Sequence, residues 1–206
     1  MLARGFRLLF GTLVALTALM SCAAPARAAA TSATDTLKPA IDQAVRILDD
    51  PRLKGPSHTP ERRAALRAVI ERVVDFPEAA RRALGIHWRD RTDAERAEFI
   101  ALFRDLVIYS YIAQLEPYAG EAIVFSGESA REETTTVSTR ILARQGAIPV
   151  DYRMHRMPDG RWRIHDVLVE GVSLVGNYRA QFTRIIRTAS FADLVKRLES
   201  RPQPTR

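Results

Sequence analysis

The hydrophobic period of this chain changes at Gly120, and that change limits the fold more than any other feature. From Asp35 to about Pro117 the apolar residues recur at helical spacing. After Gly120 they alternate with period two, and helical spacing returns only at Leu174. A block of helices followed by a block of consecutive short strands predicts an α+β domain with an antiparallel sheet, not an alternating α/β fold.

The helical block divides at its own stop signals. Leu37, Ile41, Ala44, Val45 and Leu48 mark a first helix over about 36–48, stopped by Asp49-Asp50-Pro51. Thr59-Pro60-Glu61 starts a second, whose stripe of Ala65, Leu66, Val69, Ile70 and Val73 runs to Asp75. Asp75-Phe76-Pro77-Glu78 opens a short third helix ending at Gly85. Thr92 with Glu95 forms a capping box for the longest helix, which carries Phe99, Leu102, Phe103, Leu106, Val107 and Ile112 and ends near Pro117.

Four strands follow, over 123–125, 134–142, 148–157 and 162–169, with Asp159-Gly160 as a tight turn between the last two. Short links between consecutive strands predict a four-stranded antiparallel meander. Val150, Tyr152 and Met154 share one face, as do Trp162 and Ile164. Continuation through Val167 and Val169 requires a change of face, hence a bulge. Helices over about 174–187 and 191–199 close the chain, and no second domain is visible.

The ends suggest a compartment. Arg4 and Arg7 precede an apolar run from Leu8 to Met20, the layout of a secretory signal peptide and too short to span a bilayer. Cleavage after Ala26-Arg27-Ala28 makes 1–28 the signal peptide, 35–200 the folded domain and 201–206 a disordered tail. Leu19-Met20-Ser21-Cys22 is a competing lipoprotein box. The A-x-A reading removes the only cysteine, so disulfide and thiol chemistry drop out. The formal charge is +7; in an exported monomer this favours lipid headgroups or membrane surfaces over nucleic acid.

Catalytic signatures are sparse. No G-x-S-x-G elbow or phosphate-binding glycine loop occurs. His58, His87, His155 and His165 offer no ligand pair at helical spacing, and only the last two could meet, across a hairpin; no metal site is expected. Asp151, Asp166 and Glu170 could place a general base on a curved sheet, yet Asp151 and Asp166 fit solvent-facing positions or pairs with Arg153 and Arg163 better. The apolar stripes are more abundant, and such stripes are more often plain core than cavity.

Two sequence blocks resemble the MlaC family, also called the toluene-tolerance auxiliary proteins. One is Ala80-Arg81-Arg82-Ala83-Leu84-Gly85 with His87-Trp88-Arg89, then Arg96, Phe99 and Phe103. The other comprises Ile148-Pro149-Val150-Asp151-Tyr152-Arg153, Trp162, Asp166-Val167, Glu170 to Val175, Asn177-Tyr178-Arg179, Gln181-Phe182 and Ile185-Ile186-Arg187. The resemblance covers about 35–198. Ile86 departs from it where members often carry a polar or basic residue, as does Asp93 where a Pro is expected.

The resemblance implies a periplasmic carrier of phospholipid that maintains outer-membrane lipid asymmetry. Its fold would be a curved sheet wrapped by helices, nuclear-transport-factor-like. Its partners would be an inner-membrane Mla ABC transporter complex and an outer-membrane Mla lipoprotein complex; no cofactor is implied beyond the lipid cargo. Phe103, Val107, Tyr152, Met154, Ile164, Val167, Val169, Val172, Val175 and Tyr178 would then line an acyl-chain pocket. Arg82, Arg89 and Arg179 would meet the headgroup or a docking partner. The competing readings are an enzyme using Asp166 and Glu170, and an adaptor tethered through Cys22.

Overall fold

The computed structural model describes residues 32–131 and 133–200. The signal-peptide segment, Cys22 and the tail at 201–206 lie outside the described residues. Four helices come first: α1 (Ala33–Asp49), α2 (Thr59–Val73), α3 (Phe76–Leu84) and α4 (Asp93–Leu115). The strands β1 (Ala122–Arg131), β2 (Thr134–Ala143), β3 (Gly146–Arg156), β4 (Trp162–Val169) and β5 (Val172–Ser173) follow. Helices α5 (Leu174–Thr188) and α6 (Phe191–Glu199) complete the chain. Every strand pairs antiparallel with its successor in the order β1-β2-β3-β4-β5.

The sheet therefore has five strands, not the expected four. β5 is two residues long, too short to show a period, and it is made by the two-residue turn Glu170-Gly171, with φ of 51° and 80°. Gly171 carries the second positive φ without the Cβ penalty that Glu170 bears. The bulge inferred in β4 is present: Arg153 pairs with Asp166 and Met154 with Ile164, so His165 is the extra residue.

Pairing fixes one apolar face. Thr139 stands opposite Phe125 and Val150, Ile141 opposite Ile123 and Ile148, and Tyr152 opposite Val137 and Val167. Helix α1 crosses part of this face. Its Ala33 and Leu37 are buried with Val137, Met154, Trp162 and Ile164. The helix is tied to the sheet at its first turn, where the Ala33 and Thr34 amides donate to the Glu128 carboxylate of β1 at 3.2 and 3.0 Å and the Thr34 hydroxyl adds a third bond at 2.6 Å. An acidic side chain satisfies the free N–H groups and complements the positive end of the helix dipole.

A second core joins α3, α4, α5 and α6 around Phe99, Phe103, Tyr178, Phe182 and Leu194. Phe99 is wholly buried, with its ring 5.7 Å from Phe182 in an edge-on pair. Thr92 and Glu95 form the expected capping box at the start of α4, with Thr92 N donating to Glu95 at 2.8 Å and Glu95 N to Thr92 Oγ at 3.2 Å. Phe99→Ala is expected to lower stability by about 3–5 kcal/mol, read from the midpoint of urea unfolding. A change under about 1 kcal/mol would mean that the aromatic cluster does not hold these four helices together.

Candidate functional site

The ten residues expected to line a pocket separate into two groups. Phe103 and Tyr178 are buried in the four-helix core, their rings 5.5 Å apart, and Val107 and Val175 pack against them. Met154 and Ile164 are buried beneath α1, with Tyr152 and Val167 half-buried at the same cluster. Val169 is half-buried on the same sheet face. Val172 does not join either group: it is 61% exposed on β5.

The sheet face extends past α1. Ile123, Ile141, Ile148, Val150 and Val169 continue it, and none belongs to a packed core cluster. Only Val150 among them is buried; the others keep partial access. On α1, Val45 continues the Leu37–Ile41 stripe at the helical repeat and is likewise half-buried outside the clusters. The result is an apolar shelf, covered at one end and uncovered at the other.

Tyr152 marks the boundary. Burial pushes its phenol pKa up, with a hydrogen bond to Thr139 acting against the rise, yet the side chain retains accessible surface. A side chain deep in the molecule that still keeps accessible surface faces enclosed space rather than bulk water. Period-two reading placed Tyr152 on this face; Ile123, Ile141 and Val45 needed strand register and helix placement. A further tyrosine, Tyr111 of α4, has its pKa pushed up to about 12, first by burial and then by its neighbour Tyr178.

An open cleft of about 920 Å³ lies elsewhere, among α2, α4 and the end of α6. Its walls include Arg63, Arg67, Ala101, Leu102, Arg104, Asp105, Ile108, Tyr109 and Glu199, and none of the ten expected residues. Its cations are already matched. Arg63 pairs with Glu116 at 2.7 Å, Arg67 with Asp105 at 2.6 Å and Arg104 with Asp105 at 3.1 Å. A charged, self-neutralised wall suits neither acyl chains nor a free anion, so the shelf is the better apolar site.

The polar candidates serve the fold. Asp166, 6% exposed, accepts from Ser173 Oγ at 2.7 Å, Val175 N at 3.1 Å and Arg153 Nη1 at 3.3 Å, which anchors the first turn of α5 to β4. Glu170 is exposed in the β4–β5 turn. Asp151 accepts from Ser138 Oγ at 2.6 Å.

Arg82 donates to Glu78 at 2.7 Å, and the Arg81 and Arg82 guanidinium groups together hold the Glu78 pKa down to about 2. Arg179 lays its stem over Gly85, where a Cβ would stand 3.2 Å from Arg179 Cδ, and Arg89 is exposed. Neither Arg89 nor Arg179 has a carboxylate partner among the described residues.

His155 and His165 do meet across the hairpin, with ring centroids 5.5 Å apart, and His155 Nε2 lies 2.9 Å from Asp75. Among the described residues no group of three or more His, Cys, Asp or Glu side chains could hold a metal ion. Burial, followed by the nearby Arg82 charge, lowers the pKa of His165 to about 4.

Comparison with known proteins gives two findings. The family model for MlaC protein matches residues 38–200. A solved phospholipid-binding protein from Ralstonia solanacearum, determined in complex with a phospholipid, superposes with a TM-score of 0.73 at 22% identity, over 82% of this chain and 95% of that one. The second match establishes likeness of fold.

Two outcomes follow from the polar groups. Asp166→Ala is expected to cost about 2–3 kcal/mol by leaving the Val175 amide and the Arg153 charge without their acceptor; unchanged urea unfolding would refute the anchoring role. His165 is neutral in the fold down to about pH 4 but takes a proton at about 6.5 when unfolded. Its contribution to stability is therefore full above pH 6.5 and is lost as pH falls toward 4. His165→Gln should flatten that part of the pH–stability curve.

Proposed function

The chain belongs to the MlaC family, and from that premise we propose that it is a periplasmic phospholipid carrier that buries acyl chains on the apolar shelf. The observation that carries this reading is the unclustered half of the sheet face, Ile123, Ile141, Ile148, Val150 and Val169, with Tyr152 deep beside it and still accessible. The phospholipid held by the Ralstonia solanacearum relative of like fold supports the same ligand class.

The energetics call for such a surface. A phospholipid crossing water exposes about thirty methylenes, at about 0.8 kcal/mol each, so the tails must be covered nearly as well as in a bilayer. An apolar, weakly polar site does this without fixing the cargo permanently. The headgroup would stay at the open end of the shelf. In this reading the leader at 1–28 directs export, the sheet and helices form a nuclear-transport-factor-like cradle, and the exchange partners are the inner- and outer-membrane Mla complexes. No covalent step is required, and the hydrogen bonds of Asp166 favour a binding module over catalysis at that carboxylate.

Native mass spectrometry of the purified protein, followed by lipid extraction, is expected to show phospholipid at a fixed stoichiometry. Val169→Trp and Val175→Trp should each reduce that occupancy several-fold while leaving the far-ultraviolet circular dichroism unchanged. Empty wild-type protein that also fails to extract lipid from vesicles would reject the carrier reading. Full occupancy in the folded Val169 variant would reject the shelf as its site.

A further inference from the structure

The charges of the helices are distributed unevenly. Arginines of the first four helices are largely matched within the chain: Arg62 and Arg63 with Glu116, Arg67 with Glu71 and Asp105, Arg81 and Arg82 with Glu78, Arg91 with Glu95. Helix α5 is different. It contains Arg179, Arg184 and Arg187 and no acidic residue at all. All three are exposed, and none has a carboxylate partner among the described residues.

An apolar side chain stands beside them. Arg179 lies across Gly85, and the next residue, Ile86, is 77% exposed, more than any other large apolar side chain described. Tyr178 and Phe182 bury the opposite side of α5 in the helical core, so the arginine side cannot turn inward. At its start α5 is held by Asp166 to the strand that carries Val169, so a stiff connection links this face to the shelf.

We infer that the outer face of α5, with Arg179, Arg184, Arg187 and the neighbouring Ile86, docks the protein on an anionic phospholipid bilayer. Guanidinium groups pair with phosphate in a fixed fork and keep their charge at any physiological pH. Spread along one helix without a cavity between them, they suit a surface of many equivalent phosphates better than a single bound anion. Each such charge near an anionic membrane strengthens partitioning about five-fold, and screening by salt reverses the gain. One inserted aliphatic side chain adds contact without anchoring, so attachment is reversible. The inference extends the carrier reading by placing the protein at a bilayer when it exchanges cargo.

The test is sedimentation of the purified protein with phosphatidylcholine vesicles, with and without phosphatidylglycerol, at low and high salt. Wild type is expected to bind only the phosphatidylglycerol-containing vesicles, and only at low salt. R184E/R187E should lose at least about thirty-fold in partitioning, and I86S a few-fold with the same salt dependence. Both should keep wild-type phospholipid occupancy and urea midpoint; R184Q/R187Q replaces the double reversal should that fail to fold. Equal binding to neutral vesicles, wild-type partitioning in the double variant, or no binding by wild type at low salt would overturn the proposal. In that last case the unpaired arginines await an acidic protein surface. Absence of cargo in the wild type would count against the carrier reading alone, because sedimentation is read without reference to cargo.

Discussion

Everything in the molecule depends on how one helix meets one sheet. A meander of five strands has an apolar face too wide for a single helix to cover, and α1 is pinned at its start by the bonds of Glu128 to Ala33 and Thr34. Those bonds place α1 over Val137, Met154 and Ile164. They also determine what it leaves uncovered, the strip from Ile123 to Val169. Although burial opposes ionisation of Glu128, its bonds to Thr34 and Ala33 keep its pKa below the ordinary glutamate value. The covered part stabilises the fold, and the remainder is free to hold something else.

The other helices supply rigidity around that strip. Phe99, Phe103, Tyr178 and Phe182 interlock α4 with α5, largely by edge-on contacts, a geometry that aromatic rings prefer over face-to-face stacking. Asp166 then fastens this unit to the sheet through a single carboxylate that accepts three bonds. That arrangement explains how a buried acid can sit in a sheet without catalytic purpose: the amide and hydroxyl at the start of α5 require an acceptor, and the bulge at His165 turns Asp166 toward them. Apolar packing and polar anchoring thus meet within a few residues of β4.

Features that arise from local chemistry were legible in the sequence. The change of period at Gly120, the Thr92–Glu95 box, the Asp159-Gly160 turn and the bulge in β4 all follow from residues close together in the chain. Features that depend on distant partners were not. Glu128 looks like any surface glutamate until strand register brings it beneath α1. Strand β5 is too short to have a period. Val172 was grouped with Val175 by helical spacing, but a turn with two positive φ values sets it on an exposed strand instead. The uncovered strip was half legible: alternation put Tyr152 and Val150 on one face, whereas Ile123 and Ile141 joined them only through pairing across β1 and β2.

The bond between Ala33 and Glu128 joins residues 95 positions apart, while each strand of the meander pairs with its immediate successor. Loop closure over such a distance is slow compared with hairpin formation. The floor of the shelf is therefore assembled from neighbours, and its roof arrives from the opposite end of the domain. During that interval the widest apolar surface of the molecule is open to water, and any amphiphile that reaches it first acts on the folding protein as a chaperone would.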